Sequence, residues 1–293
     1  MSNTKKNLIK FIWLFYFVCF AFRAFEYFVV RTDQSIIGEA FIHKLVGIGL
    51  LAAAVRYFGY RWRDIGFRLS DAPKGVCYGL IFGGAIFAAS YGVEMIAQAS
   101  ASNMPYLRFY LTSYAVEGNR VMEGGTVFIL ICVLGNIINV IMEEGVFRGL
   151  FVKLAEQKYS FIKACLFSSL LFGFWHIVAP VRNVINGVQS LTGAVMMGLI
   201  LIMTSALAGI QYVMLFKMTG TLWIPMTFHF INNASANLVH VVTASGADEL
   251  QTVRLTIAGA LSFIIVLIMF LKYRKNDRGR TRFLRFENGD IIQ

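Results

Sequence analysis

The sequence predicts an all-α, polytopic membrane protein with about eight transmembrane helices around a polar intramembrane cavity. Of its 293 residues, 57% are hydrophobic and only 15% are charged, whereas a soluble domain is about 45–50% apolar and about 25% charged. The apolar residues also gather into eight stretches close to the length that crosses a bilayer, which is ~20 residues. These stretches cover about residues 8–30, 36–58, 75–98, 125–147, 160–179, 188–216, 221–243 and 250–272.

The positions of the basic residues support this count and indicate an orientation. If the N-terminus is cytoplasmic, twenty of the 27 lysines and arginines fall in inside segments and five in outside segments. This asymmetry follows the positive-inside rule, so we expect both termini in the cytoplasm, at a prokaryotic cell membrane. The net charge of +11 does not indicate nucleic-acid binding, because the charges are divided among the connections instead of forming one patch.

The chain is expected to fold as one membrane-embedded domain over residues 1–293. Its last part, 273–293, is a basic cytoplasmic tail whose charges would pair with anionic lipid. The longest outer connection, about 100–123, could cover a cavity or only link two spans. The cysteines stand singly in apolar segments, without the spacing of a disulfide framework or a metal site. They are Cys19, Cys77, Cys132 and Cys165.

The first candidate functional group is a pair of adjacent carboxylates, Glu143 and Glu144, in an apolar run that begins near Gly125. Charged side chains inside a membrane are costly and almost always face a protein interior or a wet cavity. On a helix, Arg148 lies at i+4 from Glu144 and can pair with it, while Glu143 points about 100° away. Asn139, at i−4 from Glu143, could donate a hydrogen bond to it. Glu143 is therefore the candidate general base.

Two histidines in later spans complete the candidate site. Spans four and five form a hairpin that turns near Lys158, with Glu143 15 residues before the turn and His176 18 residues after it. At about 1.5 Å per residue the two side chains lie at the same depth within about 5 Å. His229 and Asn233 share a helix face, so both could donate to a developing oxyanion. Three other polar residues of the spans are expected to serve structure alone: His43, Asn232 and His240.

Together these groups predict hydrolysis inside the membrane. Glu143 takes a proton from a water molecule, and His176 positions that water or Glu143 itself. His229 and Asn233 stabilise the oxyanion of the tetrahedral intermediate. Two roles remain open for the ion pair at the end of the fourth span: it fixes the helix, or its arginine holds a substrate carboxylate.

Three motifs in this order resemble the CPBP family, which covers type II CAAX prenyl proteases and bacterial enzymes linked to bacteriocin processing or self-immunity. The motifs are E-E-x-x-x-R at 143–148, F-x-x-x-H at 172–176 and H-x-x-x-N at 229–233. The resemblance covers about 125–243, which would be the catalytic core. It implies an intramembrane endopeptidase that hydrolyses a peptide bond of a membrane-associated or lipidated protein or peptide, with the roles given above. Because the chain shows no eukaryotic targeting feature, we expect a prokaryotic member whose peptide substrate is unprenylated or unknown.

The resemblance also raises the question of a metal, because members of this family are commonly labelled metalloproteases. No HExxH motif is present, and the three motifs are sufficient for a glutamate that activates water. We therefore expect no required cofactor, with a divalent metal such as zinc as the alternative. The residues that could then supply zinc ligands are Glu143, Glu144, His176 and His229.

Two interpretations outside hydrolysis remain. In the first, the protein is a non-catalytic bacteriocin-immunity factor or membrane scaffold, and the polar cluster has no chemical role. In the second, the intramembrane glutamates and histidines form the relay of a transporter. The second is disfavoured because transporters usually contain duplicated halves, and no such duplication is visible in the sequence.

Overall fold

The computed structural model describes residues 2–34, 40–112, 121–122 and 126–287, and it confirms the all-α fold. The helices are α1 Ser2–Phe25, α2 Ile42–Tyr57, α3 Ala72–Ser100, α4 Thr126–Glu143, α5 Val152–Ala155, α6 Phe161–Phe174, α7 Val178–Ile185, α8 Leu191–Thr219, α9 Trp223–Asn237 and α10 Gln251–Glu287. Within these described ranges four short strands accompany them, namely β1 Tyr106–Phe109, β2 Leu111–Thr112, β3 Val121–Met122 and β4 Val239–Val242.

Six helical segments of the described chain are long and apolar enough to cross a membrane. They are Asn7–Gln34, Leu69–Ser100, Ile129–Ala155, Phe161–Ile185, Leu191–Thr219 and Gln251–Asn276. The second and seventh predicted stretches instead form the shorter helices α2 and α9, of 16 and 15 residues. Both are shorter than the ~20 residues that a span needs. Helix α9 ends early because the chain continues from it into strand β4.

The helices form two groups, each with its own apolar core. Helices α1, α2 and α6 and the segment between α4 and α5 surround one core, which includes Ile12, Leu51 and Phe147. Helices α3, α8, α9 and α10 surround the other, which includes Tyr212 and Phe228. The groups meet where α4 packs against α9 and where α6 packs against α8. The buried carboxylates at the end of α4 therefore lie at the junction of the two groups.

The close contact between α6 and α8 depends on a glycine. A Cβ atom on Gly173 would lie 2.6 Å from the carbonyl oxygen of Ile202, closer than any side chain could sit without moving a backbone. Because Gly173 lies two residues before Trp175, this contact also sets the position of the short 3-10 turn, Trp175–Ile177, that follows α6. The turn carries one of the candidate site residues, His176.

Part of the outer connection 100–123 forms a small sheet over the end of α9. Strand β1 pairs with β4 in antiparallel register, with Tyr106 opposite Val242 and Phe109 opposite Val239. Thr112 of β2 donates a hydrogen bond to the carbonyl oxygen of Ala236 near the end of α9. The described part of the connection therefore packs on α9, and a role in covering a cavity stays a prediction.

The last span continues beyond its predicted end. Helix α10 runs without interruption to Glu287, so much of the predicted tail 273–293 extends the last helix. Residues 288–293 lie outside the described chain. Four basic residues that the predicted orientation places inside, two from the α2–α3 connection and one each from α5 and α8, line one common pocket. They are Arg63, Arg68, Lys153 and Lys217.

Candidate functional site

The two adjacent carboxylates lie where the helix changes its winding. Helix α4 ends at Glu143, and the chain continues from Glu144 to Phe151 as a π-helix. Both side chains are buried, with 2% of Glu143 and none of Glu144 exposed. The hydroxyl of Ser168 on α6 donates a hydrogen bond of 2.5 Å to the carbonyl oxygen of Phe147 in this segment. An ordinary α-helix was expected here from the sequence, whereas π segments occur frequently at functional sites.

Each carboxylate oxygen of Glu143 has its own partners. Trp175 donates from Nε1 to Oε1 at 2.8 Å, and Nη1 of Arg23 lies 3.8 Å from the same oxygen. Asn139 donates from Nδ2 to Oε2 at 3.1 Å, and Nε2 of His229 lies 3.7 Å from that oxygen. The side chain is therefore held from α1, α4, α9 and the turn after α6, with Oε2 directed towards His229.

Glu144 is held by two basic groups. Nε of Arg148 lies 3.2 Å from its Oε2, and Nδ1 of His229 lies 2.9 Å from its Oε1. A carboxylate can only accept, so Nδ1 of the imidazole donates. Nε2 then faces the second carboxylate, Glu143, which means that a protonated His229 has an anionic partner at each ring nitrogen. This contact joins α9 to the end of α4.

Arg148 is enclosed by aromatic rings. Its side chain is 1% exposed, and its Cζ lies 3.8 Å from the ring centroid of Phe172 and 5.1 Å from that of Tyr212. Such cation–π contacts hold a guanidinium in a fixed orientation. Its two Nη atoms make no hydrogen bond to a described residue, so both roles proposed for this arginine, fixing the helix with Glu144 or holding a substrate carboxylate, stay predictions.

His176 lies on the 3-10 turn directly after Trp175. Its Nδ1 lies 2.9 Å from the carbonyl oxygen of Phe172, and because a carbonyl only accepts, Nδ1 carries the proton and donates. Nε2 of the neutral ring therefore has a free lone pair. Within the described residues, the hydrogen bond to Glu143 across the hairpin comes from Trp175 instead.

Asn233 lies one helical turn after His229 on α9, with its side chain partly exposed. No hydrogen bond joins its side chain to another described residue, so the side-chain amide is available as a donor. The structure thus brings Glu143, Glu144, Asn139, Arg148 and His229 into contact and places His176 next to Trp175. It leaves the side chain of Asn233 with no hydrogen bond to another described residue.

The four side chains considered as zinc ligands lie close together, but they are not arranged as a metal site. Within the described chain, no group of three or more His, Cys, Asp or Glu side chains has the arrangement that would hold a metal ion. The nearest donors are already engaged, since His229 donates to Glu144 and both oxygens of Glu143 accept hydrogen bonds. The arrangement therefore does not fit a metal centre, and we derive no chemical step through one.

Two contacts of Glu143 were not expected from the sequence. Arg23 on α1 and Trp175 after α6 both meet its Oε1, and Arg23 in turn contacts His43, which had been expected to be structural. One signal was available for Arg23: it is an ionisable residue within an apolar span, which by default indicates a functional group. Nothing in the sequence distinguished Trp175 from the other aromatic residues.

Comparison with known proteins supports the resemblance drawn from the motifs. Residues 125–235 match the family described as type II CAAX prenyl endopeptidase Rce1-like. All three motifs lie within this match, from Glu143 to Asn233. Among curated proteins, none matches the chain.

Proposed function

Since residues 125–235 match the Rce1-like family of type II CAAX prenyl endopeptidases, we propose that this protein is an intramembrane endopeptidase. It hydrolyses a peptide bond of a membrane-associated protein or peptide. The observation that carries the proposal is the buried carboxylate of Glu143, whose Oε1 is occupied by Trp175 while Oε2 faces His229 at 3.7 Å. A catalytic base needs this combination of a fixed orientation and one oxygen directed at the reacting groups.

In the proposed mechanism, Glu143 is the general base. Its Oε2 takes a proton from a water molecule, and the oxygen of that water attacks the carbonyl carbon of the scissile bond. The lone pair on Nε2 of His176 accepts a hydrogen bond from the other O–H of the water and so orients the water molecule. Because Glu143 is held by four elements, little reorganisation is needed at the moment of attack.

The tetrahedral intermediate carries a negative charge on the former carbonyl oxygen. His229 and Asn233, one helical turn apart on α9, both donate to this oxygen. The imidazole, protonated at both nitrogens in this step, donates from Nε2, and the asparagine donates from its side-chain amide. Glu144 supports the step by holding Nδ1 of His229 at 2.9 Å. When the carbon–nitrogen bond breaks, Glu143 returns its proton to the leaving amine, and the water-derived oxygen remains on the new carboxyl group.

The substrate is proposed to reach the site from within the lipid. Helix α8 exposes a row of large apolar side chains, consistent with contact with lipid tails. They are Val195, Met196, Leu199, Ile200, Met203 and Leu207. A peptide that is itself membrane-associated would be concentrated at such a surface, whether or not it carries a prenyl group.

The test is cleavage of a fluorogenic peptide library, with prenylated and plain members, by the purified protein in detergent. Wild type should cleave at least one member, and Glu143→Gln should lower kcat by about 10³-fold or more, because amide and carboxylate have the same shape but only the carboxylate is a base. Glu156→Gln, which removes an exposed carboxylate paired with Lys217, is the matched control and should cleave normally.

Each arm is repeated with a zinc chelator. Cleavage that persists with the chelator and is lost in Glu143→Gln supports the glutamate mechanism, whereas loss with the chelator favours a metal. If folded wild type cleaves no peptide of the library, the proposal is wrong and the interpretation as an immunity factor or scaffold takes its place.

A further inference from the structure

Glu26, at the end of the first helix, caps the second helix. Its carboxylate accepts hydrogen bonds from three consecutive backbone N–H groups at the start of α2, those of Phe41, Ile42 and His43, at 2.9, 2.9 and 2.7 Å. The hydroxyl of Thr32 donates to the same carboxylate. These N–H groups have no partner within their own helix, and a negative charge is favourable at a helix N-terminus. Glu26 is therefore held in a fixed position at the start of α2.

From Glu26 a chain of contacts leads to Glu143, the candidate base. Nδ1 of His43 donates to Oε2 of Glu26 at 2.6 Å, so Nε2 carries the lone pair and accepts from Nη1 of Arg23 at 3.1 Å. Nη1 of Arg23 also lies 3.8 Å from Oε1 of Glu143. Three side chains, Glu26, His43 and Arg23, thus connect the start of α2 to Glu143, and we call them the α1–α2 anchor.

Arg23 has little freedom in this position. It is 6% exposed, and its Cζ lies 4.9 Å from the ring centroid of Tyr27 and 4.7 Å from that of Trp175. Trp175 is also the residue that donates to Oε1 of Glu143. The guanidinium therefore supports Oε1 in two ways, through its own charge and by packing against the ring of the second donor.

The contact between Arg23 and Glu143 also balances the charge of a buried carboxylate. Two adjacent buried carboxylates repel each other, and a buried charge without a partner is strongly destabilising. Glu144 has Arg148 at 3.2 Å, on the side of α6 and α8. Glu143 has Arg23, on the side of α1 and α2. Lys44, also buried, lies beside His43 in the same region.

We infer that Arg23 is a positioning residue for Glu143. Resting on the proposed function, this inference states that the α1–α2 anchor holds Oε1 of Glu143, so that Oε2 is presented to the attacking water in a fixed direction. Arg23 lies outside the three sequence motifs and outside the matched segment 125–235. The first two helices then take part in catalysis through this contact.

Kinetics of two Arg23 variants test the inference. Arg23→Met keeps the length and apolar character of the side chain and removes the charge, and it should lower kcat about 100-fold, the loss that follows from a small misplacement, with KM within about threefold. Arg23→Lys restores a cation and should recover at least about tenfold of the loss. If Arg23 served folding alone, Arg23→Met would lower the yield of folded protein. Its kcat, measured at equal concentration of folded protein, would then match that of wild type, and Arg23→Lys would have no loss of kcat to recover.

Arg182→Met is the matched control. Arg182 is also buried, pairs with Asp33 at 2.8 Å and lies 5.7 Å from the ring centroid of Tyr27. Its substitution should lower the melting temperature in a similar way to Arg23→Met but leave kcat unchanged. Unchanged kcat in Arg23→Met, in a preparation where Glu143→Gln is inactive, would overturn the inference while the proposed function stands.

A double-mutant stability cycle tests the contact between Arg23 and Glu143 without any measurement of activity. Melting temperatures are compared for wild type, Arg23→Met, Glu143→Gln and the double variant. Because either single substitution leaves the other group buried without its partner, the double variant should lose less than the sum of the single losses. The same cycle with Arg182→Met should be additive. Additive losses for Arg23 and Glu143 would overturn the inference even if no substrate is ever found.

Discussion

At the scale of residues, the site separates two chemically identical side chains by their surroundings. Glu144 is paired with Arg148 and His229, and none of its surface is exposed. Glu143 is held mainly at Oε1, and its Oε2 faces the cluster that includes His229. A pair of neighbouring carboxylates with different partners can therefore take the two roles of support and base.

The oxyanion role of Asn233 is a prediction at this scale. Asn233→Ala should lower kcat by about 10²–10³-fold, because it removes one donor to the developing charge. Asn232→Ala, at the preceding residue and on another face of α9, is the matched control and should retain activity. Peptide cleavage at equal folded concentration measures both, and equal losses in the two variants would contradict an oxyanion role for Asn233.

At the scale of elements, the site depends on how closely α6 approaches α8. The turn that carries Trp175 and His176 follows α6 directly, so a displacement of α6 would move the donor to Glu143 and the water-positioning ring together. The contact at Gly173 leaves no room for a side chain. Packing between α6 and α8 thus controls the position of the groups that surround the carboxylates.

Gly173→Ala should therefore destabilise the protein and slow catalysis. Its Cβ would lie 2.6 Å from the Ile202 carbonyl oxygen, and overpacking of this kind costs about 1–3 kcal/mol. Gly198→Ala on α8 is the matched control, because its Cβ meets no atom within 4 Å and alanine favours a helix by up to about 1 kcal/mol over glycine. Melting curves in detergent compare the two, and equal stability would contradict the packing argument.

At the scale of the whole molecule, an ionic cluster ties α3, β4 and α10 together at one end. Arg254 of α10 pairs with Glu94 of α3 and with Asp248, at 2.6 Å from Oδ2 of the latter. His240 of β4 donates from Nδ1 to Asp248 at 2.9 Å. The ring of His240 also stacks on Tyr110, with centroids 3.8 Å apart. The cluster thereby holds the small β1–β4 sheet over the helix ends.

This cluster predicts a loss of stability in acid. Burial alone would raise the pKa of Asp248, but the hydrogen bonds from His240 and Arg254 outweigh it and hold the pKa below its usual range. A lowered folded-state pKa gives stability that is present above the unfolded value of about 3.9 and is lost as the pH falls through the folded value. Wild type should therefore lose this contribution only below about pH 4.

Asp248→Asn measures the contribution. At pH 7 it should destabilise the protein by about 2 kcal/mol, the usual worth of hydrogen bonds to a charged group. Because other carboxylates also titrate in acid, the comparison is the difference between wild type and variant across pH, which should shrink towards zero below pH 4. A difference in melting temperature that is constant over this range would contradict the assignment.

The sequence by itself determined the class of the fold and the local part of the site. Apolar composition and the length of the apolar stretches predict membrane helices, because a segment that crosses the hydrocarbon core must be apolar and long enough to span its thickness. The pairs Glu144–Arg148 and Asn139–Glu143 were predicted from spacing alone, and the structure contains both contacts. Residues three or four apart on a helix are neighbours whatever the rest of the chain does. The same reasoning placed His176 and Glu143 at one depth.

Only the tertiary structure decided which distant residues meet Glu143. Arg23 and Trp175 are 120 and 32 residues away in the sequence, and their contacts depend on how α1 and α6 pack, which no periodicity reveals. The π-helical segment after Glu143 and the short lengths of α2 and α9 also depend on packing between distant parts of the chain. Helix ends in a bundle are set by caps and neighbours from other elements, such as Glu26 at the start of α2, and hydropathy does not record them.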